Sequence, residues 1–477
     1  MGGFFGAAGR QDIIADLYYG TDYHSHLGTK RGGLAVSGSN GFARAIHNIE
    51  NAAFRPKFDA EIDRLHGRCG IGIISDTDDQ PVLIRSHLGD YAIVTVGAIK
   101  NADELVHNIF LPRRLHLAEM NAGEINSTEL AAAIINQEES FEAGITALQN
   151  VIEGSCSLLI LTPRGIYAAR DKYGRTPVIL GRKDGSWAVT QETCAFPNLE
   201  YEIVRDLGPG EIVRVTADGA ETLQAPGPID QICAFLWIYY GYPASSYEGT
   251  NVEWARNRCG AALARRHPAP IDFVAGIPDS GVGHGLGYAA EAKVPFKRPF
   301  VKYTPTWARS FMPQNQDVRD LVARMKLIPI RELVLGQRLL FCEDSIVRGT
   351  QLKDTLQRLY DVGAREIHMR PACPPLLYGC KFLNFSISRS EFDLAARRAV
   401  REIEGDRPVD LEPYARPGTD RYTAMEERIR QRLNLTSLKY QHMEDMIEAL
   451  GRKKDDVCTF CWDGVEIRSP ALPFPSI

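Results

Sequence analysis

Arg338-Leu339-Leu340-Phe341-Cys342-Glu343-Asp344-Ser345-Ile346-Val347-Arg348-Gly349-Thr350-Gln351 sets an apolar run before an acidic pair, a small polar loop and the start of an amphipathic segment. Residues 339–342 read as a buried parallel strand. Glu343 and Asp344 then fall at its carboxyl end, where open α/β sheets bind ligands. Adjacent carboxylates suit the vicinal hydroxyls of a ribose. Ser345, Arg348, Gly349 and Thr350 offer hydroxyls, a cation and close backbone N–H groups to a phosphate, and a following helix adds its positive end. Leu352, Leu356, Leu359 and Tyr360 give that helix an apolar face. An acidic pair alone is more simply a solvated turn; the whole run is more specific.

A second run, Ala275-Gly276-Ile277-Pro278-Asp279-Ser280-Gly281-Val282-Gly283, ends another apolar strand, 273–277, and precedes a helix expected near 287–293. Its glycines bare the backbone for an anion. Taken alone it is a common strand-to-helix turn. Strands and helices alternate from about residue 230 onward, with a further strand over 366–370, which predicts a parallel α/β sheet. The tail 422–452 reads as helical, its charges a solvated face.

The run around Asp344 resembles the phosphoribosyl pyrophosphate (PRPP) loop of type I phosphoribosyltransferases, and its wording points within them to the glutamine PRPP amidotransferases. Glu343 stands where that family usually has Asp, and Gln351 where it usually has Thr. The run around Pro278, Asp279, Ser280 and Gly281 resembles the same family's pyrophosphate loop. The resemblance implies PRPP as ligand, with Mg²⁺ near Ser280, Glu343 and Asp344, since hard cations take oxygen ligands. Between the two loops, Arg309 and the segment holding Arg324 and Lys326 resemble a mobile loop that closes over PRPP, its cations facing the departing pyrophosphate. Each of those cations is otherwise an ordinary surface charge.

Cys458-Thr459-Phe460-Cys461 is a CxxC pair, open by itself to redox, zinc or iron–sulfur readings. By resemblance, Cys233 and Cys380 match two further positions of the amidotransferases. Members with all four filled carry a [4Fe–4S] cluster, and four thiolates are its usual ligand set. Zinc is the second reading and four unrelated buried thiols the third. Cys69, Cys156, Cys194, Cys259, Cys342 and Cys373 are expected in the core.

The resemblance covers nearly the whole chain. Asp171-Lys172-Tyr173-Gly174-Arg175-Thr176-Pro177, Glu192-Thr193-Cys194-Ala195-Phe196 and Gly208-Pro209-Gly210-Glu211 look like the class II glutaminase domain. It implies an N-terminal-nucleophile (Ntn) αββα sandwich over 1–227 and a type I phosphoribosyltransferase α/β domain with a helical tail over 228–477. Residues 1–225 do read as strand-rich, with a helix near 127–136 and a linker at 222–230. Yet Gly2 stands where the family's nucleophilic Cys follows Met1, and glycine has no nucleophile. The family's carboxylate-binding Arg aligns with Ser75, its oxyanion-hole Asn with Val96 and its amine-reading Asp with Ser127. Loss of all four predicts a domain that does not hydrolyse glutamine.

The chain has 477 residues, 44% hydrophobic and 24% charged, with net charge −5. These values predict a globular protein without global attraction to nucleic acid or membrane. No apolar run nears the roughly 18 residues of a membrane span, and no signal peptide is evident. Ten cysteines without such a signal predict a reducing, cytoplasmic setting in which metal ligation outranks disulfides. The expected function is transfer of ammonia or another amine to C1 of PRPP, giving 5-phosphoribosylamine and pyrophosphate in purine synthesis. The ammonia would come from solution or from a supplying protein. A non-catalytic PRPP- or nucleotide-binding paralogue is the alternative, and a different acceptor such as a nucleobase a third. The resemblance also implies a homo-oligomer, a dimer or tetramer.

Overall fold

The computed structural model describes residues 2–39, 41–110, 117, 120–121, 124–302, 327–383 and 391–467. In the first half, strand Gly2–Gly9 alternates its large side chains between two faces. Phe5 and Ala7 point into one core with helix Ile14–Asp22, while Phe4 points into another with Ile71, Ile73, Val94 and Leu159. The strand lies inside a seven-stranded antiparallel sheet, between Ser186–Thr190 and Cys69–Ser75. A six-stranded antiparallel sheet, centred on Gly154–Thr162 and Gly165–Ala169, faces it across the Phe4 core. Helices Ser127–Ile135 and Phe141–Val151 cover the far side of the second sheet. The order helix, sheet, sheet, helix is the expected αββα sandwich.

In the second half, strands Phe273–Gly276, Arg338–Glu343, Glu366–Pro371 and Ser437–Leu438 pair in parallel. Both faces are apolar and covered, as a parallel sheet requires. Phe341, Ile367 and Met369 pack toward helices Ala395–Glu404 and Asp420–Arg432; Val274, Leu340 and Cys342 pack toward helices Val252–Arg266 and Gly281–Ala292.

Three local expectations need correction. The helix expected near 287–293 spans Gly281–Ala292. Its glycines are contact points rather than breakers: a Cβ on Gly287 would lie 1.9 Å from the Asn257 carbonyl oxygen, so only glycine lets the two helices approach so closely. The tail is not one solvated helix. Helices Asp420–Arg432 and Met443–Leu450 flank the fourth strand, and Met446, Ile447 and Leu450 are buried. The stretch at 222–230 begins inside strand Gly219–Gln224. Strand Ile179–Lys183 pairs on both edges, with Ser186–Thr190 and Glu202–Asp206.

The halves join through polar contacts that have little access to water. Arg170 is 1% exposed, donating to the Leu207 and Gly174 carbonyls from the first half and to Glu248 of the second at 2.6 Å. Glu192 accepts from Tyr247 at 2.7 Å and from the Ser245 hydroxyl. No helix of the described residues is long and apolar enough to cross a membrane.

Candidate functional site

Strands Phe273–Gly276 and Arg338–Glu343 are neighbours with Gly276 opposite Cys342, so both loops singled out in the sequence leave the same sheet edge side by side. The Ile277 N–H donates to the Cys342 carbonyl at 2.9 Å, extending the ladder one residue into the first loop. Pro278 and Asp279 follow, joined by a cis peptide bond. Gly281 then passes so near the second strand that a Cβ there would lie 2.4 Å from the Cys342 carbonyl oxygen. That approach brings Ser280 against Asp344, donating to its Oδ2 at 2.5 Å, while Ser345 donates to the other oxygen at 2.5 Å. Gly349, left-handed with φ 72°, caps helix Thr350–Val362, whose first turn completes the second loop beside the exposed Arg348.

Burial pushes the Glu343 carboxyl well above its ordinary range, and the charge of Asp344 pushes it further. Burial also raises Asp344, against the pull of the Ser280 and Ser345 hydroxyls. Two neighbouring carboxylates in this state hold a proton or call for a cation. The donor set is all oxygen, which suits a hard divalent ion. No three His, Cys, Asp or Glu side chains among the described residues are arranged as a ready metal cage, so Mg²⁺ here would draw on substrate and water oxygens as well.

Two cations near the loops were missed in the sequence. Lys302, at the end of strand Phe300–Lys302, pairs with Asp279 at 2.6 Å. Arg256 is buried, donates to the carbonyls of Trp237, Tyr239 and Gly241, and favours the ionised form of Asp344. Lys302 was legible only as a cation ending an apolar run. Arg256 lies in a helix, far from either motif. Arg309, Arg324 and Lys326 lie outside the described residues.

Cys233, Cys380, Cys458 and Cys461 line one enclosed pocket with Arg175, Phe235, Phe382, Leu383 and Trp462. Three chain segments meet there. Strands Ile232–Cys233 and Val457–Cys458 pair in parallel with the two cysteines opposite one another, and the Leu377 and Tyr378 N–H groups donate to the Cys461 carbonyl at 3.0 Å. The Phe382 and Leu383 N–H groups donate to the Cys380 sulfur at 3.4 and 3.3 Å, contacts that would offset negative charge on a thiolate. Burial pushes the Cys233 and Cys458 thiols up, and the bond to Cys380 does so for Cys461. Cys233, Cys458 and Cys461 are therefore neutral as free thiols, and a metal would have to displace their protons. The four thiols have the donor chemistry of a metal site and converge on one pocket, but they are not arranged as a ready metal cage.

In the first half, Gly2, Ser75, Val96 and Ser127 line one cavity of about 60 Å³ with Thr77, Asp78, Gln80 and Ser155. Four positions spread over 126 residues of sequence thus share one wall. Gly2 lies opposite Ser75, and a Cβ on it would lie 2.3 Å from the Ile74 carbonyl oxygen. Cys156 also borders the cavity, a thiol the sequence reading did not single out for this place. Burial pushes it up to about 12, leaving almost no thiolate at neutral pH. Cys69 is likewise pushed up to about 12 by burial.

A family model for a glutamine amidotransferase domain matches residues 66–198. The amidophosphoribosyltransferase of Pyrococcus horikoshii is 30% identical over 426 residues, covering 86% of this chain and 90% of that one. The amidophosphoribosyltransferase of Methanocaldococcus jannaschii is 28% identical over 493 residues, 97% of each chain. Among solved structures, a glutamine PRPP amidotransferase from B. subtilis complexed with ADP and GMP aligns over 99% of this chain and 98% of its own, with TM-score 0.84 and 24% identity.

Proposed function

The chain belongs to the amidophosphoribosyltransferase family, and from that we propose that it transfers ammonia to C1 of PRPP without hydrolysing glutamine itself. The observation that carries the transfer half is the Ser280–Asp344 contact, which holds two phosphate-loop candidates at one sheet edge. The observation behind the missing glutaminase is the glycine at position 2, walled by the Ile74 carbonyl where a nucleophilic side chain would stand.

In this reading Ser345, Arg348, Gly349 and Thr350 bind the 5-phosphate of PRPP. Glu343 and Asp344 accept from the ribose hydroxyls and orient C1. Pro278, Asp279, Ser280 and Gly281 cradle the pyrophosphate, with Lys302 swinging from Asp279 to a phosphate oxygen; that exposed pair is cheap to break. Ammonia nitrogen forms the new bond to C1 as the C1–O bond breaks. The electron pair leaves with pyrophosphate and the surplus proton goes to solvent. Arg309, Arg324 and Lys326 are assigned to the developing charge on the leaving group. Ser280, Glu343 and Asp344 would hold Mg²⁺, which would supply neutralisation of the pyrophosphate charge. Cys233, Cys380, Cys458 and Cys461 would hold a [4Fe–4S] cluster that fastens the tail segment to the start of the second half. Residues 1–227 and 228–477 are proposed as the two functional units. The exposed aromatic rings of Tyr239, Tyr242 and Trp254, the last 65% exposed, support a homo-oligomer.

Pyrophosphate release from PRPP, with ammonium at alkaline pH or with glutamine at neutral pH, tests the proposal. Release with ammonium alone is expected. Release with glutamine alone overturns the loss of glutaminase. PRPP binding without release in either case would make the chain a regulatory paralogue, a reading favoured by the longer arm of Glu343.

A further inference from the structure

We propose that Arg398 is a positioning residue for the 5-phosphate of PRPP: from helix Ala395–Glu404 it holds the Arg348 carbonyl and so fixes the loop that receives the phosphate. The proposal rests on the PRPP reading and adds a residue that no motif marks.

The backbone of the loop carries the argument. A loop that turns its N–H groups toward an anion turns its carbonyls away, and those carbonyls need other donors. Three successive carbonyls of this loop have them. The Val347 carbonyl accepts from the Ala395 N–H at 2.7 Å, the Arg348 carbonyl from the Arg398 guanidinium, and the Gly349 carbonyl from the Lys353 N–H at 3.0 Å. The first two donors stand on the first turn of one helix, so a single element grips two neighbouring peptide units of the loop.

Packing sets that helix against the loop. Ile346 is buried in the same core as Ala395, Ala396, Ala399 and Leu433. A Cβ on Gly349, whose φ is 72°, would lie 3.4 Å from the Leu433 side chain and 4.0 Å from that of Ala395. The left-handed turn therefore rests on the same support, and a shift of the helix moves the loop with it.

Charge agrees with the geometry. Burial lowers the Arg398 guanidinium from its ordinary value, and the charges of Arg432 and Arg348 lower it further, against the pull of Asp393 and Glu402. A phosphate dianion in the loop favours the charged guanidinium, so anion and cation support one another.

Calorimetric titration of the full chain with ribose 5-phosphate, with magnesium pyrophosphate and with PRPP separates the parts of the site. In Arg398→Ala, affinity for ribose 5-phosphate and for PRPP should fall about tenfold, while pyrophosphate affinity stays at the parent value. Arg398→Lys keeps the charge but loses the fork, and should recover part of the affinity, leaving a loss of about threefold. Melting temperatures check the fold, and Arg398→Lys decides the matter if the alanine variant does not fold. Parent-like ribose 5-phosphate affinity in Arg398→Ala, or in Arg398→Lys if only that variant folds, overturns the proposal. So does an equal loss of pyrophosphate affinity, which marks general damage. A parent chain that binds PRPP no better than a folded Arg398→Ala removes Arg398 and leaves the PRPP reading; a parent chain that binds neither PRPP nor ribose 5-phosphate removes both.

Discussion

Ser280 donates its hydroxyl hydrogen to Asp344 across 2.5 Å, tying together two loops that lie 64 residues apart in sequence. Asp344 and Glu343 are both raised by burial, Glu343 also by its neighbour's charge. A carboxyl raised in the folded state contributes stability below its unfolded value, near about 4, and loses it as pH rises through the folded value. A divalent cation binds the ionised pair and reverses that loss. Addition of Mg²⁺ is therefore expected to raise the melting temperature more at about pH 8 than at about pH 5. An equal shift at both pH values, or the same shift in Asp344→Asn, would remove Mg²⁺ from this pair.

Gly281 permits that contact, so its replacement reads out the geometry directly. In Gly281→Ala the new methyl meets the Cys342 carbonyl oxygen, which belongs to a central strand and cannot yield freely. A loss of about 1–3 kcal/mol of stability is expected, together with a fall in PRPP affinity, measured by denaturant unfolding and by titration. Ser280→Ala removes only the hydroxyl. It should leave stability within about 1 kcal/mol while weakening PRPP use. Parent-like PRPP affinity in both variants would separate this loop from the substrate.

What the sequence disclosed follows a physical division. Apolar strands bounded by short loops announce themselves locally, so the run 339–342 and the acidic pair were legible. Long-range closure was not. The glycines of helix Gly281–Ala292 read as loop because their purpose, contact with helix Val252–Arg266, lies outside their own segment. The charged tail read as solvated because its buried residues, such as Met446 and Leu450, are spaced between charges. Arg256 and Lys302 carry no motif, and only the fold brings them near Asp344 and Asp279. Gly2, Ser75, Val96 and Ser127 were singled out by resemblance, and the cavity joins them. Ser155 and Cys156 on its rim were invisible beforehand, because a strand hides which of its faces meets a void.

The four-cysteine pocket predicts coupled loss of metal and stability. Cys461 lies in the short helix Phe460–Asp463, whose Trp462 stacks on Phe235 at 4.6 Å between ring centres. Cys461→Ser removes one thiolate of four and should lower iron and sulfide content together, with a visible absorption loss and a cost of several kcal/mol. Phe460→Leu keeps the thiolates and should retain the iron. Stoichiometric zinc without iron in the purified protein would replace the cluster with the zinc reading. Parent-like stability of metal-free Cys461→Ser would leave the pocket merely packed.

His24 predicts how the first half fails in acid. It is fully buried between helix Ile14–Asp22 and strand Ser186–Thr190. Its Nδ1 lies 2.8 Å from the Gly20 carbonyl oxygen and so donates; its Nε2 lies 3.0 Å from the Thr190 hydroxyl. Burial disfavours the charged ring and pushes its pKa down to about 4 from 6.5, against the pull of the nearby Glu192 charge and the Gly20 carbonyl. The unfolded chain thus binds this proton first as pH falls. Stability from His24 is complete above about 6.5 and is lost through about 4, a difference of about 3 kcal/mol. His284, pushed down to about 3, and His267, to about 4, add losses of the same sign. Denaturant midpoints measured across that window should fall with acid in the parent and fall less steeply in His24→Asn, whatever the variant's stability at neutral pH. An unchanged slope in the variant would show that His24 does not take up a proton on unfolding.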